Sequence, residues 1–347
     1  MPRTIYLHVG MPKCATTSVQ SFLDRNTDWL ARNGVAYPRH PEDQTRGQGN
    51  AAELAALLMH RQTDKARARL NHFLAQEGDV ILSSEILFGV ARGDLFAQMA
   101  DHLAEQEAQV RVICYLRRQD LWLESDFKQH IKGNPDWTGK IGELLRKRLD
   151  NRTLNYNWMM ENWARCASDD HVTVVPLNPG QAADYPLRRF VDFLGLTQAP
   201  GATFDLPADN VSPATALIEP ARLIKLEAVR AGLSQTEVMD RVARFFDTAP
   251  EIIEVPKRRF MLPYKTRKGL VDKHNEVNQR LSARFLDGAP LFNPISESDS
   301  LSEGDLTNEA AQVLAAFTLR QGYGDLATVG ARPKLKRGLA RIFPRRG

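Results

Sequence analysis

The chain has 347 residues, a formal net charge of +4 and 43% hydrophobic residues, with 46 Lys and Arg against 42 Asp and Glu. Charged residues at 25% and aromatic residues at 8% are ordinary values for globular proteins, and they exclude a fibrous, collagen-like or wholly disordered chain. The length allows one large α/β domain or two domains of ordinary size.

The positive charge is concentrated at the C-terminus. Seven basic residues lie between Arg332 and Gly347, a stretch without an acidic residue, so residues 1–331 are slightly acidic. This distribution argues against a nucleic-acid partner. We expect a flexible basic tail over residues 332–347. Because apolar residues alternate with its basic ones, the tail is also a candidate for peripheral contact with an anionic membrane surface.

The three cysteines, Cys14, Cys114 and Cys166, are too few and too widely spaced for a disulfide framework or a zinc site, and we expect no metal. The N-terminal residues contain no apolar run of signal-peptide length. No stretch reaches the roughly 18 uncharged apolar residues of a membrane-spanning helix. The sequence therefore predicts a cytoplasmic protein of a reducing compartment.

Strand-like and helix-like patterns alternate over the first two hundred residues. Strands are predicted at Ile5–Gly10, Val80–Ser84, Val110–Leu116 and Val172–Pro176. Helices are predicted at Thr16–Asn33, Ala51–Gln76, Leu95–Gln106, Asp120–Lys132, Ile141–Leu149 and Leu154–Cys166. Strands that are separated by helices pair in parallel, so we expect an α/β fold with a central parallel sheet flanked by helices.

The pattern from residue 213 onward is helical, with breaks at several prolines. We therefore predict three parts: an α/β core over residues 1–200, a helical extension over 201–331 and the basic tail over 332–347. The extension is expected to complete the fold and to cover a substrate cleft.

The most informative segment is Gly10-Met-Pro-Lys-Cys-Ala-Thr-Thr-Ser18, between the first predicted strand and the first predicted helix. A strand, a tight loop and a helix N-terminus form an anion site, because unpaired amides and the helix dipole point to the same place. An NTPase loop requires the pattern G-x-x-x-x-G-K-[ST]. Here Thr16 stands where that lysine would be, and Lys13 lies three residues earlier, within the turn. This difference argues against an ATP-dependent kinase.

A second motif runs from the strand that begins at Val110 into the following helix. Arg117 lies at the carboxyl end of that strand, where open α/β sheets bind ligands. Ser125 follows eight positions later, about two helical turns on, and is able to face the same crevice. An arginine supplies a bidentate clamp of permanent charge, and a serine adds a neutral hydrogen bond. Arg118 is the alternative clamp.

A third polar strand end is Asp79-Val-Ile-Leu-Ser-Ser-Glu85. A carboxylate at a strand end in the crevice is within reach of an acceptor hydroxyl, so Glu85 is a candidate general base. The structural alternative for Glu85 is capping of a helix or pairing with an arginine. His8 and His130 are the alternative bases, and each of them also has a structural interpretation.

The loop His8-Val-Gly-Met-Pro-Lys-Cys-Ala-Thr-Thr-Ser-Val-Gln20 resembles the 5′-phosphosulfate-binding loop of sulfotransferases that use 3′-phosphoadenosine-5′-phosphosulfate (PAPS). In the bacterial branch of that family the loop usually reads H-I-G-x-x-K-T-G-T-T-S-L-Q. The family also has an Arg and a Ser at the spacing of Arg117 and Ser125, in its 3′-phosphate-binding motif. The resemblance covers most of residues 4–290. It implies the P-loop-like fold of this family, with PAPS as co-substrate.

The resemblance also implies a role for each residue. Lys13 would contact the bridging oxygen and the 5′ phosphate, and Glu85 resembles the glutamate that takes the acceptor proton; these two are the predicted catalytic residues. The predicted PAPS-binding residues are Lys13, Cys14, Ala15, Thr16, Thr17, Ser18, Arg117 and Ser125. In this chain Cys14-Ala15 replaces the usual Thr-Gly, and an alanine keeps the turn only if it avoids positive φ. Cys14 is either a small loop filler or an activated thiol at a helix N-terminus.

The predicted reaction is the transfer of a sulfuryl group from PAPS to a hydroxyl or amine of an acceptor, without a metal. Because bacterial enzymes of this size often resemble carbohydrate or lipid-linked glycan enzymes, a carbohydrate or glycolipid is the expected acceptor. Four tryptophans either stack on sugar rings or belong to the core: Trp122, Trp137, Trp158 and Trp163. The alternatives are a P-loop nucleotide kinase and a non-catalytic nucleotide-binding protein.

Overall fold

The structure is a computed structural model that describes residues 3–43, 48–92, 95–105, 108–204, 212–296 and 306–328. Within these ranges, the backbone alone is described for residues 95–98 and 321–328. The predicted basic tail over residues 332–347 lies outside the described residues.

A five-stranded sheet forms the centre of the fold. Its strands are β1 (Thr4–His8), β2 (Val35–Ala36), β3 (Asp79–Ser83), β4 (Gln109–Arg117) and β5 (Val172–Leu177). The spatial order is β2-β3-β1-β4-β5, and every neighbouring pair is parallel. The predicted α/β fold with a parallel sheet is therefore confirmed. Strand β2 was not predicted, because two residues are too short to show a periodicity.

Helices occupy the connections between the strands and most of the C-terminal part. They are α1 (Thr16–Arg25), α2 (Thr27–Arg32), α3 (Ala52–Met59), α4 (Thr63–Leu74), α5 (Leu87–Val90), α6 (Leu95–Glu105), α7 (Gln119–Gly133), α8 (Ile141–Asp150), α9 (Tyr156–Ala167), α10 (Tyr185–Leu194), α11 (Ile218–Arg230), α12 (Gln235–Ile252), α13 (Tyr264–Phe285) and α14 (Leu306–Thr328). No strand follows β5 among the described residues, so the predicted helical C-terminal part is also confirmed.

Two predicted long helices are each divided in two. The break between α1 and α2 falls at Asn26, whose side chain bonds the carbonyl of Phe22 and both backbone polar groups of Thr203. Asparagine is common at such a break because its side chain competes for backbone hydrogen bonds. The break between α3 and α4 includes Arg61, which has a positive φ of 56°. The apolar spacing continues across both breaks, which is why the periodicity predicted continuous helices.

The core lies on both faces of the sheet. Strand β4 is buried from Val112 to Leu116, as expected for a central parallel strand with helices on both sides. Helix α10 shows the same principle from the helical side, since Leu187, Phe190, Val191 and Leu194 recur at three- and four-residue spacing and are all buried. Burial of each large apolar side chain contributes about 1.5–3 kcal/mol.

The chain forms two compact units. The first comprises Met1–His130, Gly139–Ser212 and Leu262–Leu301, and the second comprises Ile131–Thr138, Pro213–Met261 and Ser302–Gly347, each with the gaps given above. The first unit thus contains the whole sheet together with α13, so it includes residues on both sides of the predicted boundary at residue 200.

The second unit is built around α11. Lys225 is fully buried in this helix, and its ammonium donates to the carbonyls of Ile131 and Asn134. Burial lowers the pKa of Lys225 to about 8. One turn earlier, Arg222 donates to the carbonyl of Thr138 at 2.9 Å. These two cations fix the segment 131–138 by its carbonyl groups.

Candidate functional site

The predicted site residues lie around the carboxyl ends of three neighbouring strands. Strand β1 lies between β3 and β4, with His8 opposite Ser83 on one side and opposite Ile113 on the other. Immediately beyond β1, the amide of Val9 donates to the Ile113 carbonyl at 3.0 Å, and the amide of Ser84 donates to the His8 carbonyl at 3.2 Å. In a parallel sheet these ends meet at one edge, where a ligand crevice is expected.

The loop between β1 and α1 contains two residues with positive φ, Lys13 at 66° and Ala15 at 60°. Ala15 thus forms this turn at positive φ, so the condition that an alanine keeps the turn only by avoiding positive φ is wrong. The left-handed conformation costs a residue with a β-carbon about 1–2 kcal/mol, and here it is imposed by the turn that leads into α1. The bond from the Cys14 amide to the Met11 carbonyl, at 3.1 Å, closes this turn.

Gly10 is required by close packing rather than by its backbone angles. A β-carbon at this position would lie 2.5 Å from Cγ2 of Thr16 and 3.1 Å from Nε2 of His8. Contacts below 3.0 Å are not tolerated without a shift of the neighbours. Gly10 therefore allows the loop to fold directly over the end of β1.

The N-terminus of α1 has the character of an anion site. Ala15 is its N-cap and supplies no side-chain cap, and the first turn contains no acidic residue. Thr16 is buried with its hydroxyl 3.5 Å from the Met11 carbonyl, whereas Thr17 is exposed and Ser18 is half-buried. Uncapped amides at a helix N-terminus favour an anion such as a phosphate.

Helix α7 holds the loop from the other side. The indole nitrogen of Trp122 donates to the carbonyl of Pro12 at 2.7 Å. Two turns further on, the amide oxygen of Gln129 accepts from the ammonium of Lys13 at 3.2 Å. Ser125 is half-buried on the same helix, one turn before Gln129. The structure therefore brings Ser125 onto the helix that contacts Lys13.

The charges of three predicted site residues act on Cys14. Its thiol is fully buried, and burial raises its pKa to about 12, opposed by the charges of Arg117 and Lys13 and increased by that of Glu85. All three side chains are therefore within electrostatic reach of one sulfur atom. The Cys14 thiol itself stays protonated at neutral pH, which excludes the activated thiolate and leaves the loop-filling role.

Glu85 follows β3 and is half-buried. Burial raises the pKa of its carboxyl group, and the charge of Lys13 opposes this rise. The charges of the Lys13 ammonium and the Glu85 carboxylate therefore act on each other. A carboxylate with a raised pKa is a better proton acceptor than an exposed one.

The adjacent arginines Arg117 and Arg118 have different environments. Arg117 is half-buried, and no hydrogen bond or ion pair of its guanidinium is recorded among the described residues; its carbonyl accepts from the Tyr156 hydroxyl at 2.9 Å. Arg118 is buried and pairs with Asp120 at 2.7 Å and 3.1 Å. Its remaining nitrogen donates to the carbonyls of Asn293 and Pro294. Arg118 is thus a structural residue, and Arg117 is the one available to a ligand.

Both alternative bases, His8 and His130, are held by structural contacts. His8 is fully buried, its Nδ1 lies 2.8 Å from the Ser83 hydroxyl, and burial lowers its pKa to about 3. His130 is held by Asp126, with Nδ1 2.8 Å from the Asp126 carbonyl oxygen and 3.4 Å from its carboxylate. These contacts give both histidines a structural role.

The tryptophans divide into two groups. Trp122 and Trp163 are buried at 1% and 0% exposure and belong to the core, so a sugar ring has no access to them. Trp137 and Trp158 are half-buried, and the guanidinium of Arg152 lies 5.8 Å from the ring centre of Trp158.

The sequence did not predict the hydrogen bonds by which Trp122 and Gln129 hold the loop, because no local pattern marks a contact between residues more than a hundred positions apart.

A cleft of about 830 Å³ lies between α13 and the segment that follows it. Arg118 contributes to its wall, together with Tyr264, Asn275, Asn278 and Phe292. None of the predicted catalytic or PAPS-binding residues lines it.

No protein-family model, curated protein or solved structure matches this chain. In the described ranges, no helix has both the length and the apolar character that a bilayer crossing requires. The same ranges contain no group of three or more His, Cys, Asp or Glu side chains that is arranged to hold a metal ion.

Proposed function

We propose that this protein is a PAPS-dependent sulfotransferase, which transfers a sulfuryl group to a hydroxyl of a carbohydrate or glycolipid acceptor. The observation that carries the proposal is the grouping of Lys13, Glu85 and Arg117 around Cys14, at the end of a strand that leads into an uncapped helix N-terminus. A phosphate site, two cations and a carboxylate are the groups that this reaction requires.

The loop would hold the 5′ end of the donor. The amides of Thr16, Thr17 and Ser18 at the start of α1 offer hydrogen bonds to the 5′ phosphate, in the field of the helix dipole. Arg117 and Ser125 would bind the 3′ phosphate by a charged fork and a neutral hydrogen bond.

Lys13 would stabilise the negative charge that develops on the oxygen between phosphorus and sulfur as the bond from this oxygen to sulfur breaks. Because Lys13 lies inside the turn rather than on the helix, it would lie beside the sulfuryl group that is attached to the 5′ phosphate. Removal of one such electrostatic contact typically reduces turnover by about 10²–10³-fold.

Glu85 would accept the proton of the acceptor hydroxyl as the new oxygen–sulfur bond forms. Its half-buried position and raised pKa support this role, and the charge of Lys13 opposes the rise that burial causes in this pKa. After transfer, the proton remains on Glu85 until it is released to solvent.

Calorimetric titration with 3′,5′-adenosine diphosphate, AMP and magnesium-ATP tests the donor site without knowledge of the acceptor. We expect tight binding that requires the 3′ phosphate and no magnesium. A preference for magnesium-ATP would contradict the proposal and favour a P-loop kinase. Binding of 3′,5′-adenosine diphosphate without transfer to any acceptor in a broad glycan screen would favour a non-catalytic nucleotide-binding protein.

Lys13→Ala tests the catalytic step, with transfer of labelled sulfate from PAPS as the assay. We expect turnover to fall by about 10²–10³-fold with an unchanged unfolding transition. Lys65→Ala is the matched control, because Lys65 is exposed on α4, away from the loop. Normal turnover by Lys13→Ala would exclude the assigned role.

A further inference from the structure

Helix α7 presents one face to the loop between β1 and α1. Trp122, Ser125 and Gln129 are three and four positions apart, a spacing that places side chains on the same side of a helix. The first of them donates to the carbonyl of Pro12 at 2.7 Å, and the last accepts from the ammonium of Lys13 at 3.2 Å. Helix α7 therefore holds the backbone of one loop residue and the side chain of the next.

These two bonds restrict different parts of the loop. The bond to Pro12 fixes the backbone, but it does not restrict the four side-chain torsions of Lys13. A lysine carries its charge at the end of a flexible stem, so a contact at that end is needed to give the charge a fixed place. The amide oxygen of Gln129 makes one such contact. Lys13 is half-buried and Gln129 is exposed, so this bond lies where a ligand from solvent has access.

The acceptor that α7 offers to Lys13 is an uncharged carboxamide. A carboxylate in the same place would offset the positive charge, as Asp120 does for the structural residue Arg118. The charge of Lys13 instead acts on other groups, and it opposes the rise that burial causes in the pKa of Glu85. An ammonium has three N–H donors. The bond to Gln129 uses one of them and therefore does not prevent the ammonium from contacting the oxygens of a ligand.

We propose that Gln129 is a positioning residue for the transfer, and that its amide oxygen directs the Lys13 ammonium toward the oxygen between phosphorus and sulfur. This inference rests on the proposed function and deepens it, because it names the group that sets the place of the catalytic charge. Gln129 does not touch the reacting atoms and acts through Lys13. The carboxamide meets two requirements together, a fixed place for the ammonium and an undiminished positive charge.

Two substitutions separate these requirements. Gln129→Met keeps the length of the side chain and removes the strong acceptor, so the ammonium loses its fixed place. Gln129→Glu keeps an acceptor and adds a negative charge, so the ammonium stays in place and its charge is offset. With transfer of labelled sulfate at saturating PAPS as the assay, we expect kcat to fall by about 10-fold in each variant.

The dependence on salt distinguishes the two effects. An exposed ion pair is screened by salt, so the kcat of Gln129→Glu should recover in part between about 0.05 M and about 0.5 M salt, whereas that of Gln129→Met should not. Gln312→Glu is the matched control, because it makes the same change of charge at an exposed glutamine on α14. An unchanged kcat in Gln129→Met, or a fall in kcat that is matched by a fall in the unfolding midpoint, would overturn the inference.

Amine labelling tests the contact without PAPS or an acceptor. The lysines of the full-length protein are acetylated with a trace of acetic anhydride, and the rate at each is measured by mass spectrometry, with the exposed Lys65 as internal reference. A neighbouring carboxylate keeps an ammonium protonated, so we expect acetylation of Lys13 to slow by about 3-fold or more in Gln129→Glu and not in Gln312→Glu. An equal rate in the wild type and in Gln129→Glu would overturn the inference, since the two side chains would then not be in contact.

The two assays distinguish failure of this inference from failure of the proposed function. Slower labelling of Lys13 in Gln129→Glu, without sulfuryl transfer by the wild type, would reject the sulfotransferase proposal and with it this role of Gln129, while the contact itself would stand. Sulfuryl transfer by the wild type, with an unchanged kcat in Gln129→Met, would keep the sulfotransferase proposal and overturn the inference.

Discussion

The indole nitrogen of Trp122 and the carbonyl oxygen of Pro12 lie 2.7 Å apart, although 110 residues separate them in the chain. This bond fastens the loop that contains Lys13 to the helix that contains Ser125. The loop contains two residues with positive φ, Lys13 and Ala15. Such strained conformations persist only where contacts with the surrounding structure stabilise them. We therefore regard this bond as the main connection between the two halves of the candidate donor site.

Replacement of Trp122 by phenylalanine keeps the aromatic ring and removes the donor. Because a single neutral hydrogen bond contributes about 1 kcal/mol, we expect the affinity for 3′,5′-adenosine diphosphate to fall about 5-fold in calorimetry. Trp158→Phe is the control, since Trp158 is half-buried and its ring packs against the guanidinium of Arg152. An unchanged affinity in Trp122→Phe would show that the loop keeps its shape without this bond.

The positive φ of Ala15 predicts that Ala15→Gly stabilises the protein. Glycine adopts this conformation without the steric cost of a β-carbon, so we expect the free energy of unfolding in urea to rise by about 1 kcal/mol. The same change at Ala283, exposed within α13, should lower it by about 1 kcal/mol, because glycine disfavours a helix. A loss of stability in both variants would contradict the left-handed conformation at Ala15.

Substitutions of the two adjacent arginines should affect different properties, ligand binding for Arg117 and stability for Arg118. Arg117→Gln is expected to weaken binding of 3′,5′-adenosine diphosphate by about 10-fold or more, because a charged hydrogen bond to the phosphate is lost, with little change in the unfolding transition. Arg118→Gln leaves the carboxylate of Asp120, which has 0% exposure, with one cation fewer. We expect it to lower the free energy of unfolding by about 3 kcal/mol. A loss of stability in Arg117→Gln together with a loss of nucleotide affinity in Arg118→Gln would contradict both roles.

The raised pKa of Glu85 predicts a specific dependence of stability on pH. The folded protein holds the Glu85 proton more tightly than the unfolded chain, so this contribution is complete below the unfolded pKa and is lost as the pH rises through the folded pKa. Relative to the wild type, Glu85→Gln should therefore be more stable near about pH 7 than near about pH 4 in urea unfolding.

Lys13→Met provides the counterpart of this prediction. Removal of the ammonium takes away the charge that opposes the rise, so the pKa of Glu85 should increase further and the loss of stability should move to higher pH. A pH profile that is identical in the wild type and in Lys13→Met would show that the two groups do not interact.

The sequence predicted most of the fold because short-range patterns carry it. Alternating strand and helix periodicities gave β1, β3, β4 and β5 close to their observed bounds. The breaks at Asn26 and Arg61 were not visible, because the apolar spacing continues through both of them while a side-chain bond or a left-handed residue ends the helix.

The sequence predicted which residue types form the candidate site, but it did not show which of two neighbouring arginines is available to a ligand. The position of Lys13 within the turn, and of Arg117 at a strand end, depends on residues a few places away and is readable from local order. The difference between Arg117 and Arg118 depends on Asp120 and on residues 293 and 294, far along the chain.

The sequence by itself determined the alternation of elements, the parallel sheet and the loop with its lysine, since each of these depends on spacing within about one element. Only the tertiary structure decided which groups come together: Trp122 bonds the carbonyl of Pro12, Gln129 bonds the ammonium of Lys13, and Arg118 bonds the carbonyls of Asn293 and Pro294. These contacts join segments that come together only when the sheet and its helices pack. Their burial then sets the charges and the pKa values on which the proposed chemistry depends.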